Sequence, residues 1–167
     1  MKQISEKTNE YDNPWTFDGI VFTSDQIEKF VGFVYLITNT ITNERYIGRK
    51  YFSSLRKKKK DTRRTRSESD WKNYYGSSET IKEQIKIHGK NIFKRQIMSL
   101  HLTRGDINYY EIREQFVRDV LEEDGYINDN INGKWFRKAE YIKAGRKVSE
   151  LSSCRKTPAT TSGRSSE

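Results

Sequence analysis

A predicted β-hairpin that carries one tyrosine on each strand constrains the fold of this chain more than any other feature. Residues 33–38 read Phe-Val-Tyr-Leu-Ile-Thr, a polar turn follows over residues 39–44, and residues 45–48 return as Arg-Tyr-Ile-Gly. Enrichment in β-branched and aromatic side chains on both sides of a polar turn is typical of paired strands. We therefore expect Tyr35 and Tyr46 to lie on one sheet, either as site residues or as ordinary packing residues with surface hydroxyls.

Further segments follow the hairpin at informative spacings. Arg56 lies eight residues after Gly48, residues 110–117 form an acidic stretch compatible with a helix, and residues 125–128 read Gly-Tyr-Ile-Asn. A glycine at position 48 also lets another group approach the strand backbone closely. Together with residues 76–90, the order and spacing of these elements are far more specific than any single short motif.

In this order the elements resemble the GIY-YIG nuclease family, and within it the phage homing endonucleases of the Seg type. Residues 33–35 and 46–48, Phe-Val-Tyr and Tyr-Ile-Gly, correspond to the two motifs that name the family. Phe33 replaces the glycine of the first motif and Val34 replaces its isoleucine, whereas both tyrosines are kept. The resemblance covers about residues 32–132 and implies a metal-dependent endonuclease that hydrolyses phosphodiester bonds of DNA.

The resemblance also implies roles for individual residues. Tyr46 is expected to act as a base-like proton relay and Tyr35 to orient water or phosphate, provided that nearby cations and a metal lower the tyrosine pKa from about 10. Arg56 is expected to clamp the phosphate from the start of the first helix, because a guanidinium binds two oxygens at once. Asn128 is expected to hydrogen-bond the backbone or the surroundings of the site, although asparagines in such loops are often turn residues.

One glutamate is expected to hold Mg²⁺ (or Mn²⁺), and the sequence offers two candidates. The family pattern favours Glu114, and an apolar stripe that includes Ile112, Phe116 and Val120 would leave Glu114 nearer the border of the buried face. On the same reasoning Glu111 points almost the opposite way and is the alternative metal ligand. Either carboxylate could instead pair with an arginine on the helix surface.

Basic residues are concentrated next to the predicted site. The chain carries 32 Lys and Arg against 23 Asp and Glu, a formal net charge of +9, which favours a polyanionic partner such as double-stranded DNA. Residues 49–66 contain ten basic residues and one acidic residue, although a charge run alone is usually a solvated segment. The residues expected to contact DNA are Gly48, Arg49, Lys50, Lys57, Lys58, Lys59, Lys60, Arg63, Arg64, Lys72 and Tyr74.

Periodicity and turn signals predict an α+β fold. The hairpin and a third strand candidate within residues 93–102 would form a small three-stranded antiparallel sheet flanked by helices. We expect an N-terminal appendage over residues 1–31, made of a hairpin and a short helix, and a nuclease-like domain over residues 32–143. Residues 144–167 are rich in Ser, Thr and basic residues and are expected to form a disordered tail.

Composition disfavours several other classes of function. A single cysteine and two histidines exclude a disulfide framework and a zinc finger, and no segment has the pattern of a leader or a membrane span. We expect a cytoplasmic protein without a small-molecule cofactor, acting as a monomer or as a transient dimer on DNA.

A restriction-type nuclease and a basic DNA-binding module that has lost cleavage are the alternatives. The general acid stays open among Tyr74, Tyr75 and Lys72.

Overall fold

The computed structural model describes residues 11–57 and 64–137, with the backbone alone described at residues 55–57 and 64–66. The tail predicted over residues 144–167 lies outside these residues. In the part of the chain that is described, no helix has the length and apolar character needed to cross a membrane.

Nine strands and two α-helices make up the described fold, with single 3₁₀ turns between them. In chain order they are β1 (Thr16–Phe17), β2 (Ile20–Val21), a 3₁₀ turn (Ser24–Gln26), β3 (Gly32–Asn39), β4 (Arg45–Tyr51), β5 (Ser53–Lys57), β6 (Arg64–Glu68), a 3₁₀ turn (Trp71–Asn73), α1 (Glu79–His88), β7 (Phe93–His101), α2 (Arg104–Val117), β8 (Asn130–Ile131) and β9 (Trp135–Phe136).

The main sheet has five strands in the order β2-β1-β7-β3-β4, and β4 forms one edge. Its central pairs β3–β4 and β3–β7 are antiparallel, whereas β1 runs parallel to β7 with Thr16 opposite Gln96. The α+β class is confirmed, but the expected three-stranded antiparallel sheet is too small. The N-terminal hairpin enlarges it, because β1 adds directly to the outer side of β7 and brings β2 with it.

The predicted central hairpin is confirmed, and its register fixes the two tyrosines. Tyr35 on β3 lies opposite Gly48 on β4, and Ile37 lies opposite Tyr46. Because side chains alternate between the two faces of a strand, Tyr35 and Tyr46 are diagonal neighbours on the same face of the sheet.

Helix α1 begins and ends as the sequence predicts, because either Ser77 or Ser78 is a suitable N-cap residue and Gly89 is a suitable residue to end the helix. Ser78 has the extended backbone of an N-cap residue, and Gly89 follows the helix with a φ of 81°. A left-handed glycine stops a helix at little steric cost. Ile81 anchors α1 because its side chain is fully buried.

Two described parts of the basic run belong to β5 and β6, which pair as an antiparallel ribbon separate from the main sheet. Arg56 was expected at the start of a helix and instead lies within β5, opposite Thr65. Alternation of Ser, Leu, Arg and Thr through these segments suits paired strands, whereas the expected helix position rested on family spacing alone.

Each face of the main sheet packs against its own set of apolar side chains. On the face of Tyr35 the core is largely aromatic and includes Trp15, Phe22, Phe33, Phe52 and Trp71. On the opposite face α2 and the segment after it supply Ile107, Val120, Tyr126 and Ile131 against Val34 and Ile47. The edge strand β4 is therefore held from both faces.

The side of α2 that packs against the sheet differs from the predicted one. The buried residues of the helix are Ile107, Glu111 and Gln115, whereas Phe116 is 45% exposed and Val117 is 68% exposed. Four-residue spacing places the three buried residues on one side of the helix. The predicted apolar stripe is wrong because two polar residues of this side form hydrogen bonds with β4.

Candidate active site

Tyr35 and Tyr46 lie side by side, with their ring centroids 6.3 Å apart. Tyr35 is 1% exposed, and its ring covers the backbone of Gly48. A Cβ at position 48 would lie 2.7 Å from Cζ of Tyr35 and 3.1 Å from Cε1 of Tyr46, which is closer than side chains tolerate. The glycine of the second motif is thus needed for the packing of both rings.

A loop before α1 completes the surroundings of the two phenols. The Oη of Tyr46 and the Oγ of Ser77 are hydrogen-bonded at 3.0 Å, and Gly76, with a φ of 91°, leaves room for the Tyr46 ring. The Tyr74 ring packs edge-on against Tyr35 at 6.1 Å between centroids. The loop thereby places a third phenol beside the pair.

Burial makes both tyrosines weaker acids than usual. The pKa of Tyr35 is raised well above its ordinary value of 10.0 by burial, and the nearby phenols of Tyr74 and Tyr46 raise it further. Burial also raises the pKa of Tyr46, although the hydrogen bond from Ser77 partly offsets that rise. The Arg49 guanidinium lowers the pKa of Tyr35, but burial outweighs this effect, so both phenols are neutral donors at neutral pH.

Glu111 faces the site and Glu114 does not. The Glu111 carboxylate forms an ion pair with the Arg49 guanidinium, on the face of β4 opposite the tyrosines. Glu114 instead pairs with Arg113 and Arg118 on the outer side of α2, at 3.2 Å in each case. The preference for Glu114 relied on the wrong helix face, and the geometry favours the alternative, Glu111.

Asn128 and Gln115 hold the outer edge of β4 at Ile47. The Nδ2 of Asn128 donates to the Ile47 carbonyl at 2.8 Å, and the Ile47 N–H donates to Oδ1 of Asn128 at 3.1 Å. The Nε2 of Gln115 donates to the same carbonyl at 3.0 Å. Gln115 was missed in the sequence, where its four-residue spacing from Glu111 was the available signal. Its Oε1 is buried and has no partner among the described residues.

These residues surround a cavity of about 520 Å³ that wraps around the edge of β4. The tyrosines line it from one face of the strand, and Arg49 with Glu111 lines it from the other. The full lining is Tyr35, Tyr46, Gly48, Arg49, Tyr74, Ser77, Ser78, Glu79, Thr80, Glu111, Gln115, Asn128, Asp129, Asn130, Asn132 and Gly133.

Two lysines expected to contact DNA have protein partners. The Nζ of Lys50 lies 2.7 Å from a carboxylate oxygen of Asp70 and 3.6 Å from the centre of the Tyr74 ring. The Nζ of Lys72 is 3.7 Å from Glu68. Both lysines therefore have nearby negative or aromatic groups. The side chains of Arg56, Lys57, Lys58, Lys59, Lys60, Arg63 and Arg64 lie outside the described residues.

The oxygen donors at α2 suit a hard divalent cation. Mg²⁺ is commonly bound through one or two carboxylates, with water and substrate phosphate completing its ligands. Glu111 supplies a carboxylate, and Gln115 has a buried amide oxygen without a partner among the described residues. No group of three or more His, Cys, Asp or Glu suited to a metal occurs in the described part of the chain.

Comparison with known proteins places the chain in a family. Residues 15–131 match the family described as "Putative endonuclease segE, GIY-YIG domain". The comparisons with curated proteins and with solved structures each found no significant match. The match spans most of the chain, including both tyrosine motifs, α2 and Asn128. The chain therefore belongs to the segE-type GIY-YIG endonuclease domain family.

Proposed function

We propose that this protein is a DNA endonuclease that hydrolyses phosphodiester bonds at the edge of β4 with the help of Mg²⁺ or Mn²⁺. The observation that carries the proposal is the convergence of Tyr35, Tyr46, Arg49 and Glu111 on one cavity. Residues of three separate elements supply neutral hydroxyls, a guanidinium and a carboxylate there. Groups of these kinds can bind phosphate and position water for phosphodiester cleavage.

On the face of β4 that carries the tyrosines, the hydroxyl groups bind and orient water or phosphate. Tyr46 keeps its proton at neutral pH, because the ordinary tyrosine pKa is about 10 and burial raises the pKa of Tyr46 further. We therefore assign its hydroxyl to hydrogen bonding with the attacking water or a phosphate oxygen, with Ser77 as its proton acceptor or donor. Tyr35 supports that position through ring packing, and Tyr74 is the best-placed of the three candidates for the general acid.

On the opposite face, Glu111 is the proposed metal ligand, and Gln115 lies one helical turn further along α2. When bound, a divalent cation polarises the phosphate and stabilises the departing oxygen. The Arg49 guanidinium would then turn from the carboxylate to the phosphate, because a cation near Glu111 weakens the ion pair. Asn128 acts here by holding the edge of β4 rather than by touching the substrate.

Double-stranded DNA is the proposed substrate, and the β5–β6 ribbon is proposed to grip its backbone. The ribbon and its connection carry the residues proposed as phosphate contacts, namely Arg56, Lys57, Lys58, Lys59, Lys60, Arg63 and Arg64. Lys57 lies opposite Arg64 in the backbone register of the ribbon. A homing-type role is part of this proposal and rests on the resemblance of residues 32–132 to the phage homing endonucleases.

A catalytically inactive DNA-binding module is the second candidate. The ion pair between Arg49 and Glu111 favours it, because the pair occupies both the guanidinium and the carboxylate that cleavage would use.

Plasmid nicking distinguishes the two candidates. We expect the full chain to convert supercoiled plasmid to open circles with Mg²⁺ or Mn²⁺ and to stop when EDTA is added. Binding of the same plasmid without nicking, under any of these divalent cations, would support the inactive module and refute the nuclease.

A further inference from the structure

We infer that the main-chain N–H of Arg49 binds a non-bridging oxygen of the phosphodiester, separately from the Arg49 side chain. The inference rests on the proposed function, since the oxygen belongs to the DNA substrate. This N–H would be a hydrogen-bond donor of fixed direction at the edge of β4. It lies between the tyrosine hydroxyls on one face of the strand and the Arg49–Glu111 ion pair on the other.

Hydrogen bonds to neighbouring residues of β4 establish the direction in which this N–H points. In an antiparallel pair, alternate residues direct both backbone groups towards the partner strand, and the others direct both groups away. The Arg45 N–H donates outward to the Gly125 carbonyl at 2.8 Å, and the Arg45 carbonyl accepts from the Ile127 N–H at 2.9 Å. Ile47 also bonds outward, through both backbone groups.

Arg49 follows the same alternation. The β3–β4 register is continuous from Arg45 to Tyr51, so a residue two positions after Ile47 has the same outward direction. The even-numbered residues point the other way, as shown by the N–H of Phe52, which donates to the Val31 carbonyl at 3.0 Å. The N–H of Arg49 therefore points away from β3.

The outer edge of β4 is covered on both sides of Arg49 but not at Arg49. Arg45 and Ile47 have partners for both groups, and the Tyr51 carbonyl accepts from Oγ of Ser69 at 2.6 Å. Within the described residues, nothing bonds to the main-chain N–H of Arg49. Proteins usually cover sheet edges, and this opening lies in the wall of the cavity, which Gly48 and Arg49 line.

A main-chain donor at this point suits an anionic oxygen. Phosphate oxygens in nucleic-acid complexes often accept from backbone N–H groups, and a donor fixed in a strand needs no reorganisation when charge develops. Tyr46 reaches the cavity from one face of β4 and the Arg49 guanidinium from the other. The N–H in the plane of the sheet lies between them.

Proline substitution separates the N–H from the side chain. Arg49→Ala removes the guanidinium but keeps the N–H, whereas Arg49→Pro removes both. Proline is tolerated on an edge strand where the N–H points outward. We expect single-turnover plasmid nicking by Arg49→Pro to be about 100-fold slower than by Arg49→Ala, the usual cost of losing one such donor.

Tyr51 provides the matched control, because its N–H lies on the same edge but outside the cavity. Tyr51→Ala and Tyr51→Pro should nick at rates within about threefold of each other. Similar rates for the two Arg49 variants would refute the inference while leaving the proposed function intact. A parent chain that binds plasmid and never nicks it would instead refute the proposed function.

Hydrogen exchange tests the donor directly, without cleavage and without the proline variants. The probe is ¹⁵N-labelled Glu111→Gln with a mixed-sequence DNA duplex and Mg²⁺. We expect exchange of the Arg49 amide to slow at least about tenfold on binding, because a new hydrogen bond protects it. Exchange at Arg49 that is unchanged while other cavity amides shift would overturn the inference, whether or not Arg49→Pro folds.

Discussion

Asn128 forms two hydrogen bonds with the backbone of Ile47, at 2.8 and 3.1 Å. Both residues are buried. The Asn128 side chain thus bonds to the outer edge of β4 as a neighbouring strand would. It covers that edge at Ile47, between Arg45, which bonds to residues 125 and 127, and the open edge at Arg49. This pairing ties the loop after α2 to the strand that carries Tyr46.

Replacing Asn128 with alanine should destabilise the fold by about 2–3 kcal/mol, because the Ile47 N–H would be left buried without a partner. The Ile47 carbonyl would keep its bond from Gln115. Urea unfolding measures the loss. Asn130→Ala is the control, since Oδ1 of Asn130 accepts from Gly133 at the surface, and its cost should be below about 1 kcal/mol. Equal costs at the two positions would contradict the structural role of Asn128.

Gly48→Ala should destabilise the protein by about 1–3 kcal/mol, because the new methyl group would press on the Tyr35 ring. Gly105→Ala is the matched control, with its nearest neighbour, Oγ1 of Thr103, at an ordinary 3.7 Å. That change should be neutral or stabilising by up to about 1 kcal/mol. Thermal unfolding of the two variants checks the difference, and a neutral Gly48→Ala would show that the two rings do not require glycine.

Local pattern was enough to predict the hairpin and helix α1. Tyr35 and Tyr46 lie on one face because strand alternation and a short turn act within about 15 residues of sequence. Ser78 and Gly89 mark the ends of α1 through local backbone preferences. Such features need no knowledge of distant parts of the chain.

Features set by distant contacts were not predictable in the same way. β1 pairs with β7, and Phe17 lies opposite Ile97, a contact that no local periodicity encodes. The buried side of α2 was predicted wrongly because Glu111 finds Arg49 and Gln115 finds the Ile47 carbonyl. Partners on β4 compensate for burying polar side chains there. Hydrophobicity alone therefore selected the wrong side of the helix.

Alkaline pH should expose the burial of Tyr35. Because the folded protein raises the pKa of Tyr35 above its ordinary value of 10.0, stability is fully present below about pH 10 and is lost as pH rises through the folded pKa. The loss is at most about 1.4 kcal/mol per pH unit for one such group. Tyr35→Phe should show a shallower decline when urea unfolding is followed from pH 8 towards about pH 11. Identical slopes would mean that Tyr35 ionises normally.

Serine substitution at the proposed phosphate contacts of the ribbon should weaken DNA binding equally for all sequences. Changing Lys57, Lys58, Lys59, Lys60, Arg63 and Arg64 together should reduce the slope of log affinity against log salt by up to about 5. Lys82→Ser and Lys86→Ser on α1 serve as the control and should leave the slope nearly unchanged. Fluorescence anisotropy with several unrelated duplexes gives both slopes. An unaltered slope in the variant with six substitutions would show that the basic run is a solvated segment without contact to DNA.

The two glutamates of α2 give the sharpest test of the proposed metal site. Glu111→Gln keeps the size of the side chain but removes the charge that would hold Mg²⁺, so single-turnover nicking should fall at least about 100-fold. Glu114→Gln should nick nearly as fast as the parent, because Glu114 pairs with Arg113 and Arg118 outside the cavity. If Glu111→Gln alone needs a higher Mg²⁺ concentration for nicking, Glu111 is a metal ligand and not only a structural partner of Arg49. If Glu114→Gln nicks more slowly than Glu111→Gln, Glu114 is the metal ligand and the role proposed for Glu111 is wrong.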